Sequence, residues 1–507
     1  MVDAAKNAIR FILDGKLVEI DNIDPTRTVL QYLREDLGRV GSKEGCAEGD
    51  CGACTVVIGE AVDARIRFRA VNACIQFLPT LDGKMLFTVE SLKSVDGQLH
   101  PVQQSMVDYH GSQCGFCTPG FVMSMFALYK TETDLSRDSI DDALSGNLCR
   151  CTGYRAIVEA TRHMGDYPVS SDVDPIIYRP ASDNAHKVSA QEAEMLERLG
   201  QLQRQQGLQL EHGDAQYFAP TSVDELAEVY LQNPDACILA GGTDVGLWVT
   251  KQLRELPKII YLGNATELNR ISETDAGIEI GAAVSLTDAF DNLSSGYPEL
   301  AEMFRRFSSV PVRNAGTLVG NIANGSPIGD SMPALIAIGA RVKLRQGARS
   351  REMALEELYI DYQKNAMQSG EFVQSVIIPK RDESIKVRCY KLCKRFDQDI
   401  SAVCAAFALR LDGDAVAAIN IAFGGMAAIP KRAAEAEAVL SGNSWNEATV
   451  QKAMTTLAED FSPLTDMRAS AAYRQQAAAN LLYRFYLETR PQDAMAPEMV
   501  NVFAVQV

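Results

Sequence analysis

Eight of the twelve cysteines lie between Cys46 and Cys151, in two groups whose spacing is typical of metal ligands. The first group reads CAEGDCGAC, which separates Cys46, Cys51 and Cys54 as C-x4-C-x2-C, and Cys74 follows later. This is the spacing by which plant-type ferredoxins hold a 2Fe-2S cluster, where four thiolates surround two irons. Residues without a Cβ let such a loop fold tightly over a cluster, and three of them occur here: Gly45, Gly49 and Gly52.

Zinc ligands or disulfides are the alternatives for the first group. Structural zinc sites usually combine two C-x2-C pairs, or one such pair with histidines. A C-x4-C-x2-C loop with a single distant cysteine does not match that pattern. In a reducing cytosol, grouped thiols bind metal more often than they form disulfides. The spacing therefore favours an iron–sulfur cluster.

The second group consists of CGFC, with Cys114 and Cys117, and CRC, with Cys149 and Cys151. A C-x2-C pair alone also suits a thioredoxin-type dithiol. A dithiol needs no second pair, however, and CGFC does not end a strand of a βαβ unit. Both pairs fall at expected helix termini, where the helix dipole favours an anionic thiolate cluster. We therefore predict a second iron–sulfur cluster.

The secondary structure expected for the segments that position these thiolates changes along the chain. Short β-type runs at 9–13, 55–58 and 86–89, with a helix from Thr28 to Leu37, predict a small α+β unit. From His100 onward, helical spacing predicts a compact helical domain. Residues 165–215 are interpreted as a solvated linker with one docking helix, on which Met195, Leu199 and Leu202 share a face; a dedicated interaction motif is the alternative.

Charge and hydropathy exclude several partners. The formal net charge is −17, and no basic tract occurs, so nucleic acid and anionic membrane surfaces are not expected to bind. The first thirty residues carry charges rather than an unbroken apolar run, and no later run is long enough to span a bilayer. We expect a cytoplasmic protein.

Two later segments could bind a phosphate. ILAGGTDV runs from Ile238 to Val245, and NAGTLVGNIANGSPIGD runs from Asn314 to Asp330. Glycine turns expose backbone N–H groups that can approach a pyrophosphate. Neither segment contains a Rossmann or P-loop motif, and ordinary turns remain an equal alternative. Three further cysteines have no cluster spacing and are predicted to be isolated thiols: Cys389, Cys393 and Cys404.

Three motifs in a fixed order carry a resemblance to a known family. GCAEGDCGACTV, SQCGFCTPGF and GNLCRCTGY resemble the two-cluster iron–sulfur region of the xanthine dehydrogenase and aldehyde oxidase family of molybdenum hydroxylases. The resemblance extends from residue 8 to about 490. It implies a multidomain α+β protein with a ferredoxin-like β-grasp 2Fe-2S domain (1–92), a four-helix-type 2Fe-2S domain (93–166), a linker (167–214), a vanillyl-alcohol-oxidase-like FAD-binding domain (215–383) and a C-terminal α/β flavoprotein domain (384–492).

The resemblance also implies roles for individual residues. The eight grouped cysteines would bind the two clusters, and Gln113 would contact a molybdenum pterin carried by a partner. FAD would be held by the first segment through Ile238, Leu239, Ala240, Gly241, Gly242, Thr243, Asp244 and Val245, and by the second through Thr317, Leu318, Val319, Gly320 and Asn321. Asp330, Phe307, Val373 and Lys391 would surround the rest of the cofactor. Without the resemblance, Phe307 would be interpreted as a core aromatic.

The family further implies what the chain does and with what. Electrons from a purine oxidised at a partner's molybdenum would pass through both clusters to FAD and then to NAD, which would approach the loop Arg395–Ser401. Family members continue into molybdopterin-binding domains that this sequence does not contain, so we expect a separate large subunit, in a dimer of heterodimers. No side chain here is expected to act as a general acid or base. Other molybdenum hydroxylases and a stand-alone ferredoxin-like carrier remain alternatives.

Overall fold

The computed structural model describes residues 7–94, 96–132, 135–168 and 188–500. These residues form two compact units. The first runs to Glu267 and includes 285–287 and 308–317, while the second comprises 268–284, 288–307 and the chain from Leu318 onward. The expected FAD-binding segment, 215–383, therefore contributes to both units. Among the described residues, no helix has the length and apolar character needed to cross a membrane.

The first unit begins with a five-stranded mixed sheet. Its strand order is Lys16–Ile20, Ile9–Leu13, Met85–Phe87, Thr55–Val62, Arg65–Asn72. Ile9–Leu13 pairs antiparallel with the first of these strands and parallel with Met85–Phe87. The predicted helix begins at Thr28, whose side chain forms a capping box with Gln31, and the helix Val29–Gln31 continues as a π turn, Tyr32–Asp36. The predicted α+β unit is confirmed.

Four helices follow, as the sequence predicts. They are Pro101–Asp108, Thr118–Thr131, Arg137–Leu144 and Arg155–His163. Helix Thr118–Thr131 is buried from Gly120 to Lys130, because it is apolar on most of its circumference and lies against the sheet. Phe126 contacts Phe68 and Phe87 of the sheet at ring-centroid distances of 6.1 and 5.8 Å, so the two domains share one core.

The predicted docking helix is Ala190–Leu202. Leu199 and Leu202 are buried in the core beneath the four helices, and Met195 is partly buried against it. Glu192 is only 2% exposed and accepts hydrogen bonds from the Arg65 side chain and the Ile66 N–H, at 3.0 and 3.2 Å. The helix is thus fixed to the ferredoxin-like sheet. The earlier part of the expected linker, 169–187, lies outside the described residues.

The remainder of the first unit carries the first glycine segment. Its four-stranded sheet has the order Leu208–His212, Ala215–Ala219, Lys258–Tyr261, Cys237–Leu239. Its helices are Val223–Gln232, Val245–Thr250 and, from later in the chain, Val310–Ala315. Ile238–Val245 spans the end of strand Cys237–Leu239, the glycine pair and the start of helix Val245–Thr250.

The second unit contains a five-stranded antiparallel sheet and a hairpin. The sheet order is Ile271–Thr274, Gly277–Gly281, Phe372–Pro379, Arg341–Gln346, Arg349–Ala354, and the hairpin joins Tyr359–Asp361 with Lys364–Asn365. Helices Ala301–Arg305, Leu318–Asn324 and Ser331–Ala337 belong to this unit, and helix Leu286–Gly296 starts in the first unit and continues here. Short 3-10 turns occur in both units, at Leu78–Leu81, Val89–Leu92, Met164–Asp166, Thr266–Leu268, Pro298–Leu300 and Leu355–Leu358.

The C-terminal domain of this unit is a four-stranded antiparallel sheet covered by helices. The strands are Ile385–Leu392, Val403–Asp412, Ala415–Gly424 and Lys431–Arg432, in that order. The helices are Ala434–Leu440, Glu447–Asp460, Ala471–Thr489 and the short Pro497–Val500. Alternate residues of the long strands, among them Phe407 and Phe423, meet Phe485 of the longest helix in one aromatic core.

Two expectations are corrected. The segment Asn314–Asp330 was expected to be a loop, but its centre forms helix Leu318–Asn324, because Leu318, Val319 and Ile322 share one buried face. Cys389 and Cys404 are not isolated thiols: their Sγ atoms lie 4.0 Å apart on neighbouring antiparallel strands.

Candidate iron–sulfur and flavin sites

The first four cysteines converge at one end of the ferredoxin-like sheet. Cys54 directly precedes strand Thr55–Val62, and Cys74 follows strand Arg65–Asn72, which pairs with it. Cys46 contacts Cys51, and Cys54 contacts Cys74. The Cys51 thiol holds the pKa of Cys46 below its usual range, and the Cys74 thiol does the same for Cys54. Cys74 also contacts Cys46, so the four thiols form one continuous group in the order Cys51, Cys46, Cys74 and Cys54.

The loop between Cys46 and Cys54 is shaped by its glycines and by its own N–H groups. Gly49 and Gly52 have φ of +79° and +70°, a region that favours glycine. A Cβ at Gly45 would lie 2.9 Å from the Cys51 sulfur. The N–H groups of Glu48 and Cys51 point at the Cys46 sulfur, at 3.5 and 3.4 Å. The loop thus presents N–H donors to the Cys46 sulfur, as cluster thiolates require, and its glycines stand where a side chain would not fit.

The second four cysteines meet between the helices. Cys117 is the N-cap of helix Thr118–Thr131, while Cys149 and Cys151 lie in the loop before helix Arg155–His163. Cys114 contacts Cys151, and Cys117 contacts Cys149. Burial, with the Cys149 contact, raises the pKa of Cys117 to about 12. Cys114 and Cys151 are exposed, whereas Cys149 is buried, so one edge of this set faces solvent.

Both sets fit a 2Fe-2S cluster in their donor arrangement. Such a cluster would be held by four protein thiolates, and each set brings four thiols together. Within the described ranges, no group of three or more His, Cys, Asp and Glu side chains is arranged to hold a single metal ion. All eight cysteines are free thiols.

Asn147 joins the two sets. Its Nδ2 donates to the Gly52 carbonyl at 3.0 Å, and its Oδ1 accepts from Ser124 Oγ at 2.6 Å. The next residue, Leu148, donates its N–H to the Cys51 carbonyl at 3.0 Å. A Cβ at Gly120 would lie 2.1 Å from the Gly52 oxygen, so the absence of a side chain permits the contact. Cys51 of the first set is thereby linked through Leu148 to Cys149 of the second.

The first set also contacts the first glycine segment of the expected flavin site. Ile75, which follows Cys74, lies against Gly246, where a Cβ would be 2.7 Å from the Ile75 oxygen. Gly242 is also close to this oxygen, at 3.4 Å from the position of a Cβ, and has φ of +74°. Helix Val245–Thr250 therefore runs directly from the expected pyrophosphate loop onto the cysteine loop.

Within the first unit, the two glycine segments meet. A Cβ at Gly241 would lie 1.9 Å from the Ala315 carbonyl oxygen, and one at Gly316 would lie 3.1 Å from Thr243 Oγ1. Thr317 is buried and pairs with Ser285 in an isolated β-bridge. Of the other predicted residues here, Leu239 is buried, Ile238, Ala240 and Val245 are partly buried, and Asp244 is exposed. The backbones of the two segments are thus in direct contact at Gly241, where no side chain would fit.

In the second unit, two predicted flavin residues bind each other. Lys391 and Asp330 form a buried ion pair, and Lys391 Nζ also donates to Ser401 Oγ at 3.0 Å. Asn321 accepts a hydrogen bond from Ser331 at 2.5 Å. Leu318, Val319 and Val373 are buried, Gly320 is partly buried, and Phe307 contacts Phe290 edge-on at 5.4 Å. Lys391 and Asp330 are therefore fixed in place by each other and by Ser401.

The predicted acceptor loop, Arg395–Ser401, is anchored by Arg306. This buried side chain donates to the Phe396 carbonyl at 3.0 Å and to Cys393 Sγ at 3.2 Å, and its guanidinium lies 4.4 Å from the centre of the Phe396 ring. Arg395 and Asp399 form an ion pair across the loop at 2.8 Å. Sequence reasoning did not identify Arg306.

Four segments of the chain match known protein families. Residues 11–78 match the 2Fe-2S iron-sulfur cluster binding domain, and residues 88–162 match the [2Fe-2S] binding domain. Residues 212–381 match the FAD binding domain in molybdopterin dehydrogenase, and residues 388–489 match the CO dehydrogenase flavoprotein C-terminal domain. The chain is therefore an iron–sulfur and FAD module of the molybdenum hydroxylase family, as its motifs predicted.

The more particular likenesses are to xanthine dehydrogenases. The chain is 30% identical over 99% of its length to the enzyme of Emericella nidulans, and 31% identical over 97% to that of Calliphora vicina. It spans 40% of the length of each, and it is homologous to their N-terminal region. A carbon monoxide dehydrogenase structure from Hydrogenophaga pseudoflava covers 53% of this chain and 94% of its own, with 27% identity and a TM-score of 0.50.

The sequence could not reveal several residues of these sites. Asn147, Ser401 and Arg306 act through contacts with residues distant in sequence, and none stands in a metal or phosphate spacing. One signal was available for Asn147, because it lies inside the GNLCRCTGY motif.

Proposed function

We propose that this chain is the electron-transfer subunit of a cytoplasmic xanthine dehydrogenase. When bound, two 2Fe-2S clusters and FAD would supply a one-electron relay and a hydride-exchanging centre, linking purine oxidation at a partner's molybdenum to reduction of NAD. The chain's own residues hold and orient these groups. The partner would be a molybdopterin-binding large subunit, in a dimer of heterodimers.

Each cluster would be held by one of the two sets of four cysteines. Cys46, Cys51, Cys54 and Cys74 would hold the first cluster, and Cys114, Cys117, Cys149 and Cys151 the second. The contacts among the four thiols within each set support this assignment.

The observation that carries the proposal is the contact between Ile75 and the glycines of the first flavin segment, Gly242 and Gly246. It brings the backbone next to Cys74 against the expected pyrophosphate loop. An isolated ferredoxin-like carrier would need no such contact. The first cluster is therefore the one that serves FAD, whose two loops would meet at Gly241 and Gly316.

The second set is suited to face a partner. Cys114, Cys151 and Gln113 are exposed, and apolar side chains around them are exposed too: Phe116 is 47% exposed, Leu148 41% and Tyr154 40%. Exposed apolar groups next to redox ligands are typical of a surface that a subunit covers. We assign this face to the molybdenum subunit, with Gln113 directed to its pterin.

Purine is favoured as the substrate because the curated relatives named above are xanthine dehydrogenases. The structural likeness to a carbon monoxide dehydrogenase leaves the same module compatible with another molybdenum hydroxylase. The substrate pocket would lie on the partner, so the partner's identity decides between these alternatives.

The test is the cofactor content and reactivity of the purified chain. It should contain about four irons and about four labile sulfides, as two 2Fe-2S clusters require, together with one FAD. Cys149→Ser should remove about two irons and spare the first cluster's signal. The chain should oxidise NADH with an artificial acceptor but should not hydroxylate xanthine without the partner. Zinc in place of iron, or xanthine turnover without any partner, would overturn the proposal.

A further inference from the structure

The helix Val245–Thr250, after the first flavin segment, touches residues next to the first cysteine set at both of its ends. At the start of the helix, Gly246 lies against Ile75 so closely that no side chain would fit. A Cβ on Gly246 would be 2.7 Å from the Ile75 oxygen and 2.9 Å from the Ile75 Cβ. At its end, Thr250 Oγ1 donates to the Ala47 carbonyl at 2.7 Å. Six residues of helix thus connect the neighbours of Cys74 and of Cys46.

Lys251, the next residue, brings a charge to the same loop. Its ammonium donates to the carbonyl of Cys46 at 2.7 Å and lies 3.5 Å from the Glu48 carboxylate. Both side chains are about two fifths exposed, at 43% and 41%. One cation and one anion therefore lie beside the loop that carries Cys46, Cys51 and Cys54.

We propose that helix Val245–Thr250 and Lys251 form a clamp on the first cluster, and that Lys251 raises the reduction potential of this cluster. The inference rests on the proposed ligands of the first cluster. Reduction adds one negative charge, which a neighbouring cation stabilises and a neighbouring carboxylate destabilises. Gly246 and Thr250 are positioning residues, since they act through the backbone next to Cys74 and Cys46, whereas Lys251 acts through its charge.

The charge prediction has a sign that a purely structural role would not produce. Lys251→Gln keeps a hydrogen-bond donor and removes the charge, so the first cluster should become harder to reduce. Glu48→Gln should make it easier to reduce, and the double variant should lie near the wild type. We expect a change of about three- to tenfold in the ratio of oxidised to reduced cluster, or about 30–60 mV for a one-electron couple. Because the groups are partly exposed, the shifts should shrink at high salt.

The experiment is a redox titration of the iron-loaded protein followed by electron paramagnetic resonance, which reports each cluster separately. Lys258→Gln is the matched control, because Lys258 is also partly exposed and paired with a carboxylate, that of Asp235, at 3.3 Å. Opposite shifts of the first cluster in the two variants, with the second cluster and the control unchanged, are expected. Equal or absent shifts in protein that retains its iron would overturn the inference.

The clamp itself is tested by hydrogen exchange. Gly246→Ala should speed exchange at residues 46–54 by about tenfold, because the added methyl group forces away Ile75, whose side chain lies against Gly49 of that loop. Gly200→Ala is the matched control, since Gly200 is also in a helix and a Cβ there would meet nothing within 4 Å. Unchanged exchange in Gly246→Ala would contradict the clamp. A wild-type protein that binds no iron would instead contradict the proposed function.

Discussion

At the scale of single residues, the sites depend on side chains that satisfy buried backbone groups. Asn147 is 3% exposed and holds the Gly52 carbonyl, Thr55 and Ser124 together. The Gly52 carbonyl also accepts from the Thr55 N–H and hydroxyl, but the Ser124 hydroxyl would lose its acceptor Asn147, and a buried polar group left without its partner costs about 1–3 kcal/mol. The Asn147 amide therefore supports the junction between the cysteine sets, beside the hydrogen bond from the Leu148 N–H to the Cys51 carbonyl.

Replacing Asn147 should loosen that junction. Asn147→Ala should lower the hydrogen-exchange protection of Leu148 by about tenfold or more, a fold-change that corresponds to about 1–3 kcal/mol. Asn480→Ala, which removes an exposed helical amide hydrogen-bonded only to Gln476 among its described contacts, serves as the control. Equal protection in both variants would show that Asn147 does not hold the junction.

The buried pair of Lys391 and Asp330 makes a second prediction at this scale. Lys391→Met leaves a carboxylate that is 3% exposed without its cation, which costs about 3–5 kcal/mol when one partner of a buried pair is removed. The variant should unfold at lower temperature and lose FAD. Adding Asp330→Asn should recover most of the thermal stability, because no charge is then buried alone. A double variant as unstable as the single one would mean that the ion pair is not the cause.

At the scale of elements, the sequence predicted those parts of the fold that depend on local patterns. The cysteine spacings, the four helices and the docking helix follow from residue types and periodicity. Helix Leu318–Asn324 was missed because glycines and asparagines around it indicate turns, whereas its helical state depends on burying Leu318, Val319 and Ile322. The pairing of Lys391 with Asp330 was missed for the same kind of reason, since 61 positions separate them.

The prediction at the scale of elements concerns the docking helix, Ala190–Leu202, and its effect on the stability of the ferredoxin-like sheet. Glu192→Ala removes the carboxylate that binds Arg65 and the Ile66 N–H, and it should destabilise the ferredoxin-like sheet by roughly 2–3 kcal/mol. Exchange in strand Arg65–Asn72 should then become faster. Glu194→Ala changes an exposed residue of the same helix and should have almost no effect. A similar effect of both changes would indicate that helix propensity, not the buried contact, matters.

At the scale of the whole molecule, the contacts within the first unit place the first cysteine set between the second set and the segment that begins the expected flavin site. The first cysteine set lies against the segment that begins the flavin site, and the second set, joined to it through Asn147 and Leu148, has its exposed edge at Cys114 and Cys151. Electrons from a partner would therefore enter at the second set and leave from the first. This order is the central claim of the proposed function.

Hydrogen exchange during assembly tests this order most directly. When the molybdenum subunit binds the iron- and FAD-loaded chain, exchange at residues 112–118 should slow strongly, because the exposed edge of the second set becomes covered. Exchange in the loop from Cys46 to Cys54 should stay nearly constant, since that loop already lies against helix Val245–Thr250. Protection of the Cys46–Cys54 loop by the partner, with residues 112–118 still exposed, would contradict the account.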